Sequence, residues 1–380
     1  MKKRVVFFSG YHLPHLGGVE RYVDKLSGVL MRLGYEVIVI TTNHDNLPPK
    51  EVVNGVLVYR IPMFRIFKAR YPIPRYNKET KEILAEITDN TKKTYVICNT
   101  RFHLTTLMGG KWAKKNDLKV LIVEHGSSHF SVGNSFLDKF GAFYEHLLTN
   151  VLKRYVSDFY GVSYRCVNWL KHFGINAKGV FYNSVDDLSA DKFRNSKKFH
   201  KLFNANATVI MYAGRVMKEK GVEMLLDAYA DIKNDAPDTA LIIAGDGPYL
   251  EEARKRYKDK KILFLGKLEY ENVMRLLDRA DIFCHPSMYP EGLPTSILEA
   301  GIMKCAVIAT DRGGTAEVIN DSSCGIIIDE NKEALVKALK FLITDKKHRE
   351  KIKESLYVRI KSNYTWTKTA EVVNKTLEQQ

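Results

Sequence analysis

Apolar residues along the chain follow two alternating rhythms. Continuous runs such as RVVFF (4–8), EVIVI (36–40), VLVYRI (56–61), YVIC (95–98) and VLIV (120–123) leave no polar face. A half-exposed strand would alternate, so these runs predict strands buried on both sides, as in a parallel sheet. Between them lie segments with apolar residues at helical spacing. GGVERYVDKLSGVLMRLG (17–34) is one, closed by Gly34, a residue suited to ending a helix. The rhythm lapses in the polar stretch DDLSADKFRNSKKFHKLF (186–203). It restarts with ATVIMYAGR, TALIIAGDGP, KILFLGKL, ADIFCHPS, CAVIATDRGG and CGIIIDE. The expected architecture is α/β: two Rossmann-like, doubly wound parallel-sheet domains facing a central cleft. They occupy residues 1–186 and 204–363, with 187–203 as a linker. In such sheets ligands sit beyond the carboxyl ends of the strands, so the loops just after strands hold the candidate chemistry.

Composition narrows the picture. A chain of 380 residues exceeds the size of a typical single core, and 45% hydrophobic with 27% charged residues excludes extensive disorder. The net charge is +15, and residues 1–190 hold 27 Lys/Arg against 16 Asp/Glu. That bias fits an anionic partner or a Lys-rich solvated surface. The five cysteines are scattered, with no C-x-x-C pair, which argues against a disulfide framework or a structural zinc. The N-terminal apolar run ends at Ser9-Gly10, too early for an export signal, and no window suits a membrane span. A cytoplasmic protein is expected.

Four loops stand out. SGYHLPHLGGVER places Gly17 and Gly18 before a helix, where exposed N–H groups and the helix dipole favour an anion. It lacks the G-x-G-x-x-G spacing of dinucleotide sites. AGRVMKEKG (213–221) sets Gly214, Arg215 and Lys220 after a strand, one a bidentate phosphate donor and the other a point charge. AGDGP (244–248) holds Gly245 in a tight turn. In YPEGLPTSILEAG (289–301), Glu291, Gly292, Leu293, Pro294 and Thr295 open a short helix that carries Glu299. A helix start separates the two carboxylates, so they do not form a tight acid–base pair. They suit two acceptors along one extended ligand, with its phosphates on the helix N-terminus.

Taken in order, GGVER, VEHG, VSYRCVNWL…VFYNSVD, AGRVMKEKG, LIIAGDGP, ILFLGKL, ADIFCHPS and EGLPTSILEA resemble glycosyltransferase family 4, a retaining group of GT-B fold with an E-x7-E signature. The resemblance covers nearly the whole chain. It implies that Glu299 binds the donor ribose and Glu291 the sugar hydroxyls, while Arg215 and Lys220 neutralise the diphosphate. It also implies that Gly18 approaches the phosphates, that backbone at Lys267 and Leu268 meets the base, and that His125 lies near the transferred sugar. The final amphipathic stretch, 364–380, would return to the first domain. Ser184 stands where the family more often has glycine.

The expected reaction moves a sugar from a nucleotide-diphosphate sugar, a UDP-sugar ahead of a GDP-sugar, to a lipid-linked or polysaccharide acceptor in cell-surface polysaccharide synthesis. Asp246 and Asp311 are isolated and no D-x-D cluster follows a strand, so no metal and no cofactor is expected. The basic, aromatic segment 63–81, with Arg65, Lys68, Arg70 and Arg75, suits an acceptor or the anionic inner face of a membrane, and 136–155 is a second such surface. A sugar-nucleotide epimerase of the same fold is the alternative. A nucleic-acid binder lacks any recognisable module, and a two-domain sugar-binding protein would carry an export signal.

Overall fold

The computed structural model describes the chain except residues 1, 16, 66–70, 89–90, 132, 196–197, 205 and 380. It divides into two compact units, residues 1–183 with 366–380, and residues 184–365.

The first unit contains β1 (Lys3–Phe8), β2 (Glu36–Thr42), β3 (Lys50–Val53), β4 (Val56–Ile61), β5 (Met63–Phe64), β6 (Ile73–Pro74), β7 (Lys93–Asn99), β8 (Val120–Glu124), β9 (Asp158–Gly161) and β10 (Gly179–Val180). Eight of these form one sheet in the order β10-β9-β8-β7-β1-β2-β4-β3, while β5 and β6 make a separate ribbon. The sheet is parallel except that edge strand β3 runs against β4, an antiparallel edge that the apolar runs did not disclose. Successive residues of each run go to opposite cores. Val5, Phe7, Val37, Val39, Tyr95 and Ile97 pack on one face. Val6, Phe8, Ile38, Ile40, Val96 and Cys98 pack on the other. This two-sided burial is why the strands carry no polar face. The helix Gly18–Arg32 and the C-terminal helix Trp366–Glu378 cover the first face. Met108, Trp112 and Ala113 of Leu104–Lys115 cover the second.

The second unit is built on β11 (Thr208–Ala213), β12 (Thr239–Ala244), β13 (Ile262–Gly266), β14 (Ile282–His285), β15 (Ala306–Thr310) and β16 (Ile326–Ile328), in the order β13-β12-β11-β14-β15-β16. Every pairing is parallel. The stretch 187–203, expected as a linker, belongs to this unit, and the division falls at 183/184. Asp187–Phe193 is a helix with Ala190 and Phe193 buried, and Arg194 Nη2 donates to the Ile302 carbonyl at 2.8 Å. Only two inward apolar positions anchor it, so its polar composition concealed it.

The direction of strand order reverses between β1 and β7 in the first sheet and between β11 and β14 in the second. Ligands of such sheets lie beyond the strand ends at these reversals. Among the described residues, no helix is long and apolar enough to cross a membrane.

Candidate active site

At the reversal of the second sheet, two loops meet. One runs from Gly214 to Gly221 after β11, the other from Pro286 to Pro294 after β14. A Cβ on Gly221 would lie 1.9 Å from the Pro286 carbonyl oxygen, and Gly221 has φ +73°, so glycine is required twice over at this crossing. The Met288 N–H donates to the Glu219 carbonyl at 2.9 Å, which fixes one loop on the other. The Gly314 N–H donates to Gly292 at 2.7 Å and holds the far side.

This scaffold brings Lys220 and Glu291 together as an ion pair, each side chain only 16% exposed. Ser287 Oγ donates to Glu291 Oε1 at 3.3 Å. His285 Nε2 lies 3.6 Å from the same oxygen, its Nδ1 lies 3.3 Å from Ser296 Oγ, and Lys220 Nζ sits 4.5 Å above the Tyr289 ring. Burial opposes the charge on Glu291, but the His285 contact and the Lys220 charge outweigh it and hold its carboxyl below the ordinary range. The site therefore presents an ionised carboxylate whose cation is already engaged. Loop spacing indicated both residues but not this pairing. His285 was passed over, although it closes a strand one residue before a proline.

Pro294 is the N-cap of the helix Thr295–Ile302, with no side-chain cap. The helix start thus keeps backbone donors for a ligand. Glu299 is buried one turn inside. Arg215 is exposed, and its carbonyl accepts from Tyr212 at 2.7 Å. A Cβ at Gly245 would stand 1.8 Å from the Gly214 oxygen, so these glycines let two strand-end turns pack together. The Gly245 N–H donates to Gly266 at 2.8 Å, which places Lys267 and Leu268 on the next loop along. Lys267 is exposed and Leu268 half-buried.

In the first unit His125 directly follows β8. Its Nε2 is 2.9 Å from Asn99 Oδ1 and its ring meets Tyr22 edge-on at 4.8 Å. Burial, only partly offset by Glu124, lowers its pKa to about 4, so the ring is neutral at physiological pH. Beneath it lies an ion triad absent from the sequence reading. Fully buried Arg101 donates to Glu124 at 2.8 Å and to Glu145 at 2.5 Å, and Glu124 Oε1 accepts the N–H groups of His125 and Gly126 at 3.2 and 3.1 Å. Residues 101, 124 and 145 share no local pattern, so only the fold unites them.

Gly17 is the N-cap of the helix Gly18–Arg32. A Cβ at Gly18 would meet nothing within 4 Å, so packing within the chain does not demand glycine there. Burial pushes up the Glu20 carboxyl, while hydrogen bonds from the Glu20 and Gly17 backbone hold it at the helix start. Of the basic segment, Arg65 Nη2 donates to the His44 carbonyl at 2.9 Å and Arg75 lies over Phe64 at 4.8 Å. Lys68 and Arg70 lie outside the described residues. A cavity of about 980 Å³ between the helices Lys78–Glu86 and Leu104–Lys115 contains none of the expected site residues.

Two Rossmann-like sheets, each with polar residues beyond its strand ends, define a GT-B fold. Anabaena HepE, solved in complex with UDP, superimposes with a TM-score of 0.77 at 16% identity over the whole of both chains. Residues 16–187 match the family described as Glycosyltransferase Family 4, and residues 193–359 match Glycosyl transferases group 1. With both halves matched, the chain belongs to the glycosyltransferases. An uncharacterised glycosyltransferase of Methanocaldococcus jannaschii is 28% identical across 99% of this chain and 98% of its own. The phosphatidylinositol N-acetylglucosaminyltransferase gpi3 subunit of Schizosaccharomyces pombe is 25% identical across 97% of this chain and 78% of its own.

Proposed function

We propose that the protein is a retaining, hexosyl-type glycosyltransferase that uses a UDP-sugar. The observation that carries this reading is the Lys220–Glu291–His285 cluster beside an uncapped helix start, at the strand reversal of the second unit. In this reading Arg215, Lys220 and the helix start take the diphosphate, Glu299 the ribose, Glu291 the sugar hydroxyls, and backbone near Lys267 and Leu268 the base. The C1–O bond to the diphosphate breaks while the acceptor oxygen bonds C1 on the same face. The acceptor proton passes to the departing phosphate oxygen. Negative charge grows on that phosphate, where fixed cations and helix N–H groups stabilise it most. The cations make a divalent metal unnecessary at this step. His125, neutral at pH 7, serves the transferred sugar as a hydrogen-bonding group.

The acceptor is proposed to be lipid-linked, taken up from a membrane surface by the first unit. The helix Ser135–Leu152 supports this. Phe136, Phe140 and Phe143 are 79%, 68% and 65% exposed, far beyond what a helix packed in a core leaves to water. The name of the Schizosaccharomyces pombe relative also points to a phosphatidylinositol acceptor for that protein. The test is incubation with radiolabelled UDP-sugars and lipid extract, with the anomeric configuration of the product read by NMR. Labelled lipid with the donor's configuration is expected. Free hydrolysed sugar alone, or an isomerised UDP-sugar made without acceptor, would overturn the reading, the latter in favour of an epimerase.

A further inference from the structure

Away from the donor residues, and independent of their reading, three histidines of the first unit converge. His129 follows β8 on a loop, His146 sits on the helix Ser135–Leu152, and His172 lies in the turn Lys171–Phe173. His129 Nε2 is 3.3 Å from His172 Nε2, and His146 Nε2 is 3.1 Å from the same atom. Among the described residues they are the group of histidine, cysteine or acidic side chains whose ligand atoms gather as a metal site requires, all within 4.8 Å of one another. They stand 43 and 26 residues apart in the two pairs, so no linear spacing announced them.

We propose that His129, His146 and His172 bind a zinc-class divalent ion. Zinc–imidazole bonds of roughly 2.0–2.1 Å place the nitrogens of a tetrahedron about 3.3–3.4 Å apart, close to the two measured edges. Hydrogen bonding alone satisfies the trio poorly. His172 Nε2 carries either one lone pair or one N–H and can serve only one neighbour in good geometry, whereas an ion accepts all three lone pairs. Imidazole donors select zinc and its transition-metal neighbours over calcium or magnesium. The outer groups fit as well. His129 Nδ1 lies 3.3 Å from Glu145 Oε2, near the carboxylate–histidine relation that orients a ligand ring, although the geometry falls short of a hydrogen bond. His172 stacks on Trp169 with centroids 4.8 Å apart and planes 9° from parallel. His172 is exposed and the other two half-buried, which leaves a coordination position open to water.

The site has a structural consequence. Glu145 also accepts the Phe130 N–H at 2.7 Å and grips Arg101, whose other partner Glu124 holds the backbone at His125. An ion at the trio would clamp loop 126–130 to the helix Ser135–Leu152, and through Glu145 steady the start of the His125 loop.

The test uses full-length, tag-free protein, stripped with chelator and titrated with Co²⁺ and Zn²⁺. One equivalent of Co²⁺ should give the intense visible absorption of a tetrahedral site, Zn²⁺ should displace it, and Zn²⁺ should raise the melting point. His172→Ala, on an exposed side chain, and His146→Ala, on a half-buried one, should each weaken binding at least ~10-fold while leaving the circular dichroism spectrum unchanged. Absence of stoichiometric binding would overturn the proposal, as would equal binding by the wild type and His172→Ala.

Discussion

Replacing Glu291 with Gln separates the two roles proposed for the Lys220–Glu291 pair. In the structure Glu291 engages Lys220, and both are largely buried. A diphosphate arriving at Lys220 must break or share this pair and also meets the negative charge of Glu291. Glu291→Gln keeps the shape and removes both obstacles. A partly buried charge contact of this kind amounts to about 1–2 kcal/mol net once desolvation is set against attraction. UDP alone should therefore bind roughly 5- to 30-fold tighter. Turnover of a UDP-sugar should fall at least ~100-fold, because an oriented acceptor of the sugar hydroxyls is lost where it matters in the transition state. Lys220→Ala should act in the opposite sense on UDP and weaken it by about 1.5–3 kcal/mol, the usual contribution of a charged hydrogen bond. Isothermal titration with UDP, beside initial rates with UDP-sugar, reads both quantities. If Glu291→Gln weakens UDP as much as Lys220→Ala does, the two residues do not divide the work between phosphate and sugar, and the reasoning fails.

Arg101→Ala should cost about 3–5 kcal/mol in urea denaturation, because it strands Glu124 and Glu145 as buried charges; a loss below 1 kcal/mol would show that water reaches them. The pKa values of His12, His103 and His125 lie at about 4, below the ordinary 6.5, with burial as the main cause. Their contribution to stability is complete above pH 6.5 and is lost as pH falls towards 4, by up to about 2 kcal/mol each between pH 7 and 5. The melting point should therefore drop over that interval, and a flat profile would contradict the buried neutral rings. Phe140→Glu with Phe143→Glu should abolish flotation with anionic liposomes while leaving the melting point within a degree or two, since both rings are exposed; undiminished flotation would remove the helix from the membrane account.

What the sequence disclosed follows the physics of each element. Runs such as VVFF at 5–8 are apolar at every position because the sheet divides them between two cores, and that pattern survives in a linear string. The candidate loops could be singled out because the strand rule points to short contiguous segments, within which Arg215, Lys220 and Glu291 lie. Contacts between distant segments were not legible. The Arg101–Glu124–Glu145 triad, the pairing of Lys220 with Glu291 and the three converging histidines depend on segments from different parts of the chain meeting. The helix at 187–193 escaped because two buried side chains suffice to dock it. Antiparallel β3 escaped because its Lys50, Glu51, Val52 and Val53 are half-exposed or exposed and so never form an apolar run.

The central claim is that the second unit holds a nucleoside diphosphate between Arg215, Lys220 and the start of the helix Thr295–Ile302. Thermal melting with UDP, GDP, ADP and UMP, for the wild type and for Arg215→Ala with Lys220→Ala, tests it most directly. A ligand at about a hundred times its dissociation constant adds roughly 2.7 kcal/mol, enough for a shift of a few degrees in a protein of this size. The account predicts such a shift with UDP, a much smaller one with UMP, and none in the double variant. No shift with any nucleoside diphosphate, or an equal shift in the double variant, would contradict it.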